Sequence, residues 1–298
     1  MDRGEPTCKY DLGGRVAFVT GAAGAIGAGI CRGLLESHCK VAVTDLPGER
    51  LSDLVAELKG LCCGNGGSAR DGGASAHPIP AAYPDAATGV PMDVTDPESV
   101  SDAIAQIGSA WGAIDIAVHV AGVPLVSTLQ DMDLDAFRRL EKVNVEGTLL
   151  VLREMARFFA KQGTGGDIVL ISTKNVFAPG ASFGAYSATK AASHQLARIA
   201  SLELAPIGVR VNMVAPDAVF GEGERRSGLW QEIGPDRMKA RGLDEKGLEE
   251  YYQSRNLLKA KVTAEHVANA VLFFVSHQTP TTGATIPVDG GLPDATPR

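Results

Sequence analysis

Short runs of β-branched and apolar residues alternate along the chain with longer segments whose apolar positions recur every three or four residues. A short apolar run bounded by turn residues predicts a buried strand, and the longer spacing predicts one face of a helix. Six runs are predicted to be strands: Val16–Thr20, Val41–Asp45, Ile114–Val120, Asp167–Ser172, Val209–Val214 and Thr285–Val288. Strands that alternate with helices predict an α/β fold with a doubly wound parallel sheet.

The spacing of apolar residues between these strands predicts amphipathic helices. One follows the first strand directly and carries Ile26, Ile30 and Leu34 on a single face. A second begins after Asp96-Pro97, a helix cap followed by a first-turn proline, and a third begins after Thr263. The apolar faces of these two are formed by Val100, Ile104, Ile107 and Trp111, and by Val267, Val271 and Phe274.

Two segments interrupt the alternation of strands and helices. Gly60–Gly89 is crowded with Gly, Ala and Pro, which predicts a flexible surface insertion. Asp217–Val262 contains polar helical pieces after a late parallel strand, where open α/β sheets bind ligands, so we expect it to be a substrate lid. The length of 298 residues then fits one domain, which we expect to span residues 1–298.

Composition excludes several classes of protein. Apolar residues make up 45% of the chain and charged residues 21%, which is enough apolar material for a core and is not typical of disorder. The formal net charge is −7, and no block of basic residues is long enough to follow a phosphate backbone. We therefore expect a small-molecule substrate, and neither nucleic acid nor membrane as a partner.

The cysteines and the N-terminus bear on the compartment. All five cysteines lie among the first 63 residues, and their odd number and spacing match neither a disulfide framework nor a zinc site, so no metal is expected. The first residues lack the apolar core of a signal peptide, and no run of 18 apolar residues occurs. These features predict a cytoplasmic protein.

A glycine-rich turn joins the first predicted strand to the first helix. Gly21 permits a tight turn, Gly24 allows a close approach to a pyrophosphate, and Gly27 lets the helix pack on the strand. The N-terminus of the helix adds N–H groups and a partial positive charge. This arrangement predicts a dinucleotide site, and the alternative is an ordinary strand-to-helix turn.

Asp45 lies 18 positions after Gly27, at the end of the second predicted strand. A carboxylate there can accept hydrogen bonds from the adenosine ribose hydroxyls and repels a 2′-phosphate. No Arg or Lys follows it directly, so the sequence favours NAD over NADP as the cofactor. The alternative is a solvated carboxylate at a strand end.

Tyr186 and Lys190 are four residues apart, on one face of a predicted helix. A nearby ammonium favours the phenolate and lowers the pKa of a tyrosine, which can then exchange a proton near neutral pH. The pair alone occurs often by chance on amphipathic helices. Thr173 strengthens the interpretation, because it places a hydroxyl 13 residues upstream at the end of a predicted strand.

These features together resemble the classical short-chain dehydrogenase/reductase family, from Val16 to Gly291. The resemblance implies a Rossmann-type fold and an oxidoreductase. It also implies that Tyr186 is the catalytic acid or base, that Lys190 lowers its pKa and binds the nicotinamide ribose, that Thr173 replaces the family's serine, and that Asn144 holds a water relay.

The resemblance implies a set of cofactor-binding residues near the strand ends. It comprises Gly21, Ala23, Gly24, Ala25, Ile26, Gly27, Asp45, Asp93, Val94, Ala121, Gly122, Tyr186, Lys190, Pro216 and Val219. Asp93 matches the position beside the adenine ring. Members of the family commonly pair through the helices that include the Tyr186 segment, so a homodimer or homotetramer is expected.

The chain departs from the family pattern at several positions. Thr173 keeps a hydroxyl but adds a methyl group, and Ser172 is the alternative donor. His119 and Val120 stand where the family commonly has two asparagines, and we expect His119 to be structural and Val120 to belong to the core. Asp217 replaces a glycine, where its carboxylate would either meet the substrate or cap the first turn of the lid.

The predicted lid resembles that of dehydrogenases acting on sugars and polyol phosphates, and the dehydrogenase half of bifunctional rhamnulose-phosphate aldolase/dehydrogenases. A separate aldolase domain is not expected within 298 residues. Candidate substrate-binding residues are Lys174, Asn175, Asp217 and Trp230, and cationic residues that could join them are Arg225, Arg226 and Arg255. The alternative for each charge is a solvated side chain.

The sequence therefore predicts a single-domain enzyme of carbohydrate metabolism that transfers a hydride between NAD and the secondary alcohol or carbonyl of a sugar, polyol or small hydroxyaldehyde. One alternative is a reductase of a larger cyclic or hydrophobic ketone. Another is an NAD-binding sensor or scaffold with weak catalysis, suggested by the replacements at Thr173, Val120 and Asp217.

Overall fold

Parallel strands at the centre of the fold bring the predicted functional residues to one edge. The computed structural model describes residues 10–62, 86–222 and 225–292. The strands are β1 (Val16–Thr20), β2 (Lys40–Asp45), β3 (Ala87–Pro91), β4 (Ile116–His119), β5 (Gly166–Ile171), β6 (Val209–Pro216), β7 (Gly221–Glu222), β8 (Arg225–Arg226) and β9 (Thr285–Val288). Among the described residues, all but β7 and β8 form one seven-stranded parallel sheet in the order β3-β2-β1-β4-β5-β6-β9.

Helices cover both faces of this sheet. They are α1 (Ala25–Glu36), α2 (Glu49–Cys62), α3 (Pro97–Trp111), α4 (Leu134–Glu141), α5 (Gly147–Gln162), α6 (Gly184–Leu204), α7 (Gly228–Arg241), α8 (Glu245–Arg255) and α9 (Ala264–Val275). One face buries Leu34, Leu54 and Val271 from α1, α2 and α9. The other buries Ile104 and Met155 from α3 and α5. The predicted doubly wound, Rossmann-type α/β fold is thus confirmed.

The strand β3, like the helices α2, α4 and α5, was not predicted from the sequence pattern. It reads Ala-Thr-Gly-Val-Pro, and its Gly and Pro are typical of loops. It lies at an edge of the sheet, where a proline removes no essential ladder bond. Gly89 leaves room for α2, because a Cβ at that position would lie 2.9 Å from Cγ2 of Val55.

The predicted insertion Gly60–Gly89 is narrower in the structure. Its first three residues belong to α2 and its last three to β3. Residues 63–85 lie outside the described residues, so the expected flexibility of this segment stays a prediction.

The segment predicted to be a lid contains the β7–β8 hairpin, α7 and α8. The two helices begin at side-chain caps, since Ser227 Oγ accepts from the N–H of Trp230 and Asp244 Oδ1 accepts from that of Gly247. Ile233 of α7 packs with Leu140 of α4, which fixes α7 beside the carboxyl edge of the sheet.

Two features of the described ranges bear on possible partners. No helix in them combines the length and the apolar character needed to cross a membrane. No group of three or more His, Cys, Asp or Glu side chains in them could hold a metal ion.

Candidate active site

A cavity of about 500 Å³ lies where the parallel strands end, between the sheet and α7. Nearly all the predicted site residues line it, although they come from segments far apart in the sequence. These are Gly21, Gly24, Ala25, Ile26, Gly27, Asp45, Asp93, Val94, Ala121, Gly122, Thr173, Lys174, Asn175, Tyr186, Lys190, Pro216, Asp217, Val219 and Trp230. Ala23 and Asn144 do not line the cavity, but both bond to residues that do.

The glycine turn after β1 is shaped by close backbone contacts. Gly21 has φ +62°, and a Cβ there would lie 2.7 Å from Cα of Ala121. A Cβ on Gly27 would lie 2.6 Å from Cα of Ala22, so neither position accepts a side chain. At Gly24 the nearest protein atom would be 3.4 Å away, so a Cβ there would take space from the cavity instead.

The N-terminus of α1 opens at this turn and fits a diphosphate. Gly24 is the N-cap, no side chain caps the helix, and its first turn carries no acidic residue. Its terminal N–H groups and partial positive charge are therefore available to an anion. The residues present accordingly fit the phosphates of a dinucleotide.

Asp45 stands at the end of β2 and closes one end of the cavity. Its Oδ2 accepts from the N–H of Ala23 at 2.8 Å, and its Oδ1 accepts from the N–H of Leu46 at 2.8 Å. Each carboxylate oxygen has a second lone pair for a further donor. Arg50 also lines this end, with Nη2 3.4 Å from the carbonyl oxygen of Ala23, and the sequence did not indicate it because it lies on the next helix.

Asp93 and Val94 follow β3 and line the same end of the cavity. Asp93 Oδ1 accepts from both the N–H and the hydroxyl of Thr95 at 2.8 Å. Val94 is buried and packs against Gly147 at the start of α5. The side chain of Asp93 thus fixes the turn that brings the backbone to the cavity.

Tyr186 and Thr173 both line the cavity. The hydroxyl of Thr173 lowers the pKa of Tyr186, but burial outweighs this effect and raises the pKa to about 12. The neighbouring hydroxyl of Ser172 lies 2.9 Å from Nδ1 of His194. Thr173, rather than Ser172, therefore supplies the hydroxyl beside Tyr186.

Lys190 lies one helical turn after Tyr186 and is buried. Its Nζ donates to the carbonyl oxygen of Ile171 at 2.7 Å, and burial lowers its pKa to about 8. Desolvation of the phenol is the dominant effect on the pKa of Tyr186 in this structure, and the expected lowering of that pKa by Lys190 stays a prediction.

Asn144 lies in a π-helical turn, Lys142–Glu146, between α4 and α5. Its side chain accepts from the N–H of Val123 at 2.9 Å and donates to the carbonyl of Val123 at 3.0 Å. It also donates to Thr189 Oγ1 at 3.1 Å. Asn144 thus positions the loop after β4 against α6, and its role in a water relay stays a prediction.

The carbonyl oxygen of Asn144 belongs to a chain of hydrogen bonds through His119. Thr20 Oγ1 accepts from two backbone N–H groups of the loop after His119, so its own proton points to His119 Nδ1 at 2.8 Å. His119 Nε2 then donates to Thr148 Oγ1 at 3.1 Å, which donates to the carbonyl of Asn144 at 2.6 Å.

This chain requires a neutral His119 with its proton on Nε2. Burial and the charge of Lys190 lower its pKa to about 3, in agreement with that assignment. His119 is buried and does not line the cavity, so the structure places it in the structural role predicted for it. Val120 is only half-buried, packs against the core and lines the cavity.

Asp217 lines the cavity, so its predicted contact with the substrate stays a prediction, and it also forms an ion pair that the sequence did not predict. Its Oδ2 accepts from Nη2 of Arg255, on α8, at 2.8 Å. The carboxylate is 7% exposed, so the ion pair ties the end of β6 to the lid. Asp217 caps no helix in the described part of the chain, and Arg255 is not an uncompensated cation.

Aromatic rings form the lid side of the cavity. Trp230 stacks on Phe220 with ring centroids 4.4 Å apart, and Tyr252 contacts the edge of Trp230 at 4.9 Å. Arg255 lies over the ring of Tyr252 at 4.4 Å. The side chains of Arg225 and Arg226 are outside the described part of the structure, so their predicted contribution is open.

Lys174 and Asn175 follow Thr173 in a short 3₁₀ turn, Lys174–Val176. Lys174 Nζ donates to the carbonyl of Ala178 at 3.0 Å, so its ammonium is already engaged. Asn175 Oδ1 is buried and accepts no hydrogen bond from a described residue. Sequence reasoning missed Arg237, which also lines the cavity, because no motif marks a residue in the middle of α7.

Comparisons with known proteins agree with this geometry. The family model for short chain dehydrogenases matches residues 15–231. The uncharacterized oxidoreductase YuxG of Bacillus subtilis is 34% identical over 95% of this chain, which spans 38% of that protein's length. The mitochondrial (−)-isopiperitenol/(−)-carveol dehydrogenase of Mentha piperita is 30% identical, over 94% of each chain.

A solved structure supports the same assignment. Sorbitol-6-phosphate 2-dehydrogenase SrlD from Erwinia amylovora superposes with a TM-score of 0.78 at 26% identity, over 93% of this chain and 98% of that one. One cavity of this fold is lined by the glycine turn together with Thr173, Tyr186 and Lys190. The chain therefore belongs to the short-chain dehydrogenase family, as an oxidoreductase of CH–OH groups that uses a nicotinamide dinucleotide.

Proposed function

We propose that the protein is an NAD-dependent dehydrogenase that oxidises a secondary hydroxyl of a sugar, polyol or small hydroxyaldehyde. The observation that carries this proposal is a single cavity with Asp45 at one end and the Thr173–Tyr186 pair at the other. When bound, the nicotinamide supplies the hydride acceptor. The reverse direction would reduce the corresponding carbonyl.

The residues of this chain would bind and orient the reactants. The N-terminus of α1 would hold the diphosphate and Asp45 the adenosine ribose. Thr173 Oγ1 would hydrogen-bond the substrate hydroxyl, and Tyr186 Oη would take its proton. Because oxidation needs the phenolate, the pKa of about 12 must fall as reactants bind, and the buried ammonium of Lys190 favours that change.

The choice between NAD and NADP depends on two side chains with opposite charges. Asp45 favours NAD, since its carboxylate would repel a 2′-phosphate. Arg50 lines the same end of the cavity and favours NADP as the second candidate. We expect wild-type protein to prefer NAD, Asp45→Ser to relax that preference, and Asp45→Ser with Arg50→Gln to lose part of the NADP use gained. An unaltered NAD/NADP ratio in Asp45→Ser would refute the ribose contact.

The polar groups at the substrate end favour a polyhydroxylated substrate. Asn175, Lys174 and the Asp217–Arg255 pair supply several donors and acceptors there. The second candidate is a cyclic or hydrophobic alcohol, favoured by the ring cluster of Phe220, Trp230 and Tyr252. The similarity to both a sorbitol-6-phosphate dehydrogenase and a carveol dehydrogenase makes each worth testing.

A substrate panel tests these candidates directly. NADH formation would be recorded with polyols, sugars, hydroxyaldehydes and cyclic terpene alcohols, using Tyr186→Phe as the control. Turnover of polyols that the variant loses supports the proposal, and turnover of terpene alcohols alone supports the second candidate. Tight NAD binding with no turnover on any member would instead indicate a sensor or scaffold.

We also propose a homodimer or homotetramer in the cytoplasm. The long helices α5 and α6 expose Leu149, Ile199 and Leu202, which supports pairing through these helices. Cys31 and Cys39 are buried and form no disulfide with a described residue, which suits a reducing compartment. Light scattering on Leu202→Glu tests the first point, since an unchanged mass would exclude this surface.

A further inference from the structure

Arg237 is a lid cation for which the proposed reaction has no role. It lies on α7 and lines the cavity. Its guanidinium lies over the ring of Phe183, 4.8 Å from the centroid, and that ring contacts the ring of Tyr186 with centroids 6.2 Å apart. The charge of Arg237 is therefore held on the substrate side of the cavity, one ring away from the catalytic phenol.

The hydrogen-bonding capacity of Arg237 is largely unused. Its Nε is buried and has no partner among the described residues. Its Nη2 donates to Tyr252 Oη only at 3.4 Å, near the limit for a hydrogen bond. A half-buried guanidinium with an unpaired N–H is costly unless a ligand supplies the acceptor.

The neighbouring arginines of the lid differ from Arg237 in how their charges are placed. The Nε of Arg255 is also buried without a described partner, but its charge is compensated by Asp217 at 2.8 Å. Arg241 lies over the ring of Tyr251, 4.7 Å from its centroid, and it does not line the cavity. In the described part of the chain, no carboxylate forms an ion pair with Arg237.

The other charges of the cavity leave this cation uncompensated. Asp217 is committed to Arg255, and Glu232 lies exposed at the lid. Asn175 Oδ1, also on the cavity wall, is a buried acceptor without a described donor. A ligand that fits both groups carries an anion for the guanidinium and a hydroxyl for the amide.

We propose that Arg237 binds an oxyanion of the substrate, so that the enzyme prefers a hydroxy compound carrying a phosphate monoester or a carboxylate over its neutral analogue. The planar fork of a guanidinium suits either group, because each offers two oxygens in one plane. This inference rests on the proposed function for the identity of the reacting hydroxyl, but anion binding itself does not require turnover.

The test compares sorbitol, sorbitol 6-phosphate and gluconate as substrates of wild type, Arg237→Gln, Arg237→Lys and Arg241→Gln. In wild type, at least one of the two anions should have a higher kcat/KM than sorbitol. In Arg237→Gln that preference should fall roughly ten- to hundredfold, mostly through KM, as expected for one charge-assisted contact. Arg237→Lys should keep part of it, and Arg241→Gln should keep the wild-type preference.

A second measurement separates this inference from the proposed function. Calorimetry on NADH-saturated protein, in which the diphosphate site is blocked, would follow binding of the same three compounds. Anion binding that Arg237→Gln loses supports the inference even if no compound is oxidised. The inference would be overturned if the preference for anion over neutral compound were the same in Arg237→Gln as in wild type, in both binding and turnover. A preference for phosphate or for carboxylate in wild type identifies the anion.

Discussion

The two ends of the cavity are built in different ways. At the end near β1 and β2, the wall is formed mainly by backbone groups and glycines. Gly21 and Gly27 leave no room for side chains, and Asp45 accepts hydrogen bonds from two backbone N–H groups. At the lid end the walls are side chains, namely the rings of Trp230 and Tyr252 and the charges of the lid arginines. The backbone of the first end suits one kind of ligand, whereas the shape and charge of the second end can be changed by substituting single side chains.

The difference has a physical basis in how each end is supported. The glycine turn joins a buried strand to a buried helix, so the packed core determines its shape. The lid contacts the rest of the protein through a small apolar cluster that includes Ile233 and Phe183, through core packing at its two ends, Val219 and Val262, and through two backbone hydrogen bonds to the segment after β9. We therefore expect substitutions at the first end to change cofactor binding, and those at the second to change substrate binding.

Tyr186→Phe should have the largest effect, because Tyr186 stands where the two ends meet. Removing the hydroxyl removes the proton acceptor, and we expect kcat to fall by about 10³-fold, within the usual range for a general base. NAD affinity, measured by fluorescence titration, should change less than about threefold, since the ring remains. A variant that keeps a tenth of the activity would exclude Tyr186 as the base.

Gly27→Ala and Gly24→Ala form a matched pair within the cofactor end. The Cβ of Gly27→Ala would meet backbone of the turn at 2.6 Å, so we expect a destabilisation of about 2 kcal/mol or more together with lost NAD binding. At Gly24 the nearest protein atom is 3.4 Å away, so the fold should be kept while NAD binds about tenfold more weakly. Denaturant unfolding and NAD titration check both, and equal stability losses would contradict the assignment of Gly24 to the ligand.

The cofactor end was predictable from sequence, and the lid end was not. The spacing of Gly21, Gly24 and Gly27 after a strand has few alternative explanations, and at Gly21 and Gly27 only glycine meets the backbone contacts found there. Tyr186 and Lys190 on one face of a helix became informative only together with Thr173, at the end of the preceding predicted strand. The pairing of charges in the lid depends on tertiary contacts. The ion pair between Asp217 and Arg255, and the lack of one at Arg237 among the described residues, could therefore not be inferred from spacing.

Intermediate cases show the limits more closely. The strand β3 was missed because Gly89 and Pro91 are atypical of strands, although a sheet edge accepts both. His119 stands at a position where the family commonly has asparagine, and the sequence predicted only that His119 is structural. Its bonds to Thr20 and Thr148 could be identified only once three segments were packed together.

The pH dependence of oxidation should follow the two buried groups that join the ends. Tyr186 must be ionised to take a proton, and its pKa lies above neutrality, so kcat/KM for oxidation should rise about tenfold per pH unit between pH 6 and 8. Above about pH 8 Lys190 loses its charge, and the rise should become shallower. Reduction needs the phenol and should show no such rise, so parallel profiles in both directions would count against this pair of roles.

Asp217→Asn should have the smallest effect and should act on the lid end alone. It leaves Arg255 without its partner, and because the pair is partly solvent-exposed on the arginine side, we expect a loss of stability of only about 1 kcal/mol. The freed cation should raise KM for a neutral polyol about threefold, since it orders water instead of the substrate hydroxyls. Asp217→Asn with Arg255→Gln should recover most of that loss, because the second change removes the unpaired charge that the first creates. Steady-state kinetics with sorbitol and NAD titration check both points. A weaker NAD affinity in Asp217→Asn would mean that the two ends are coupled through β6 and would contradict their separate roles.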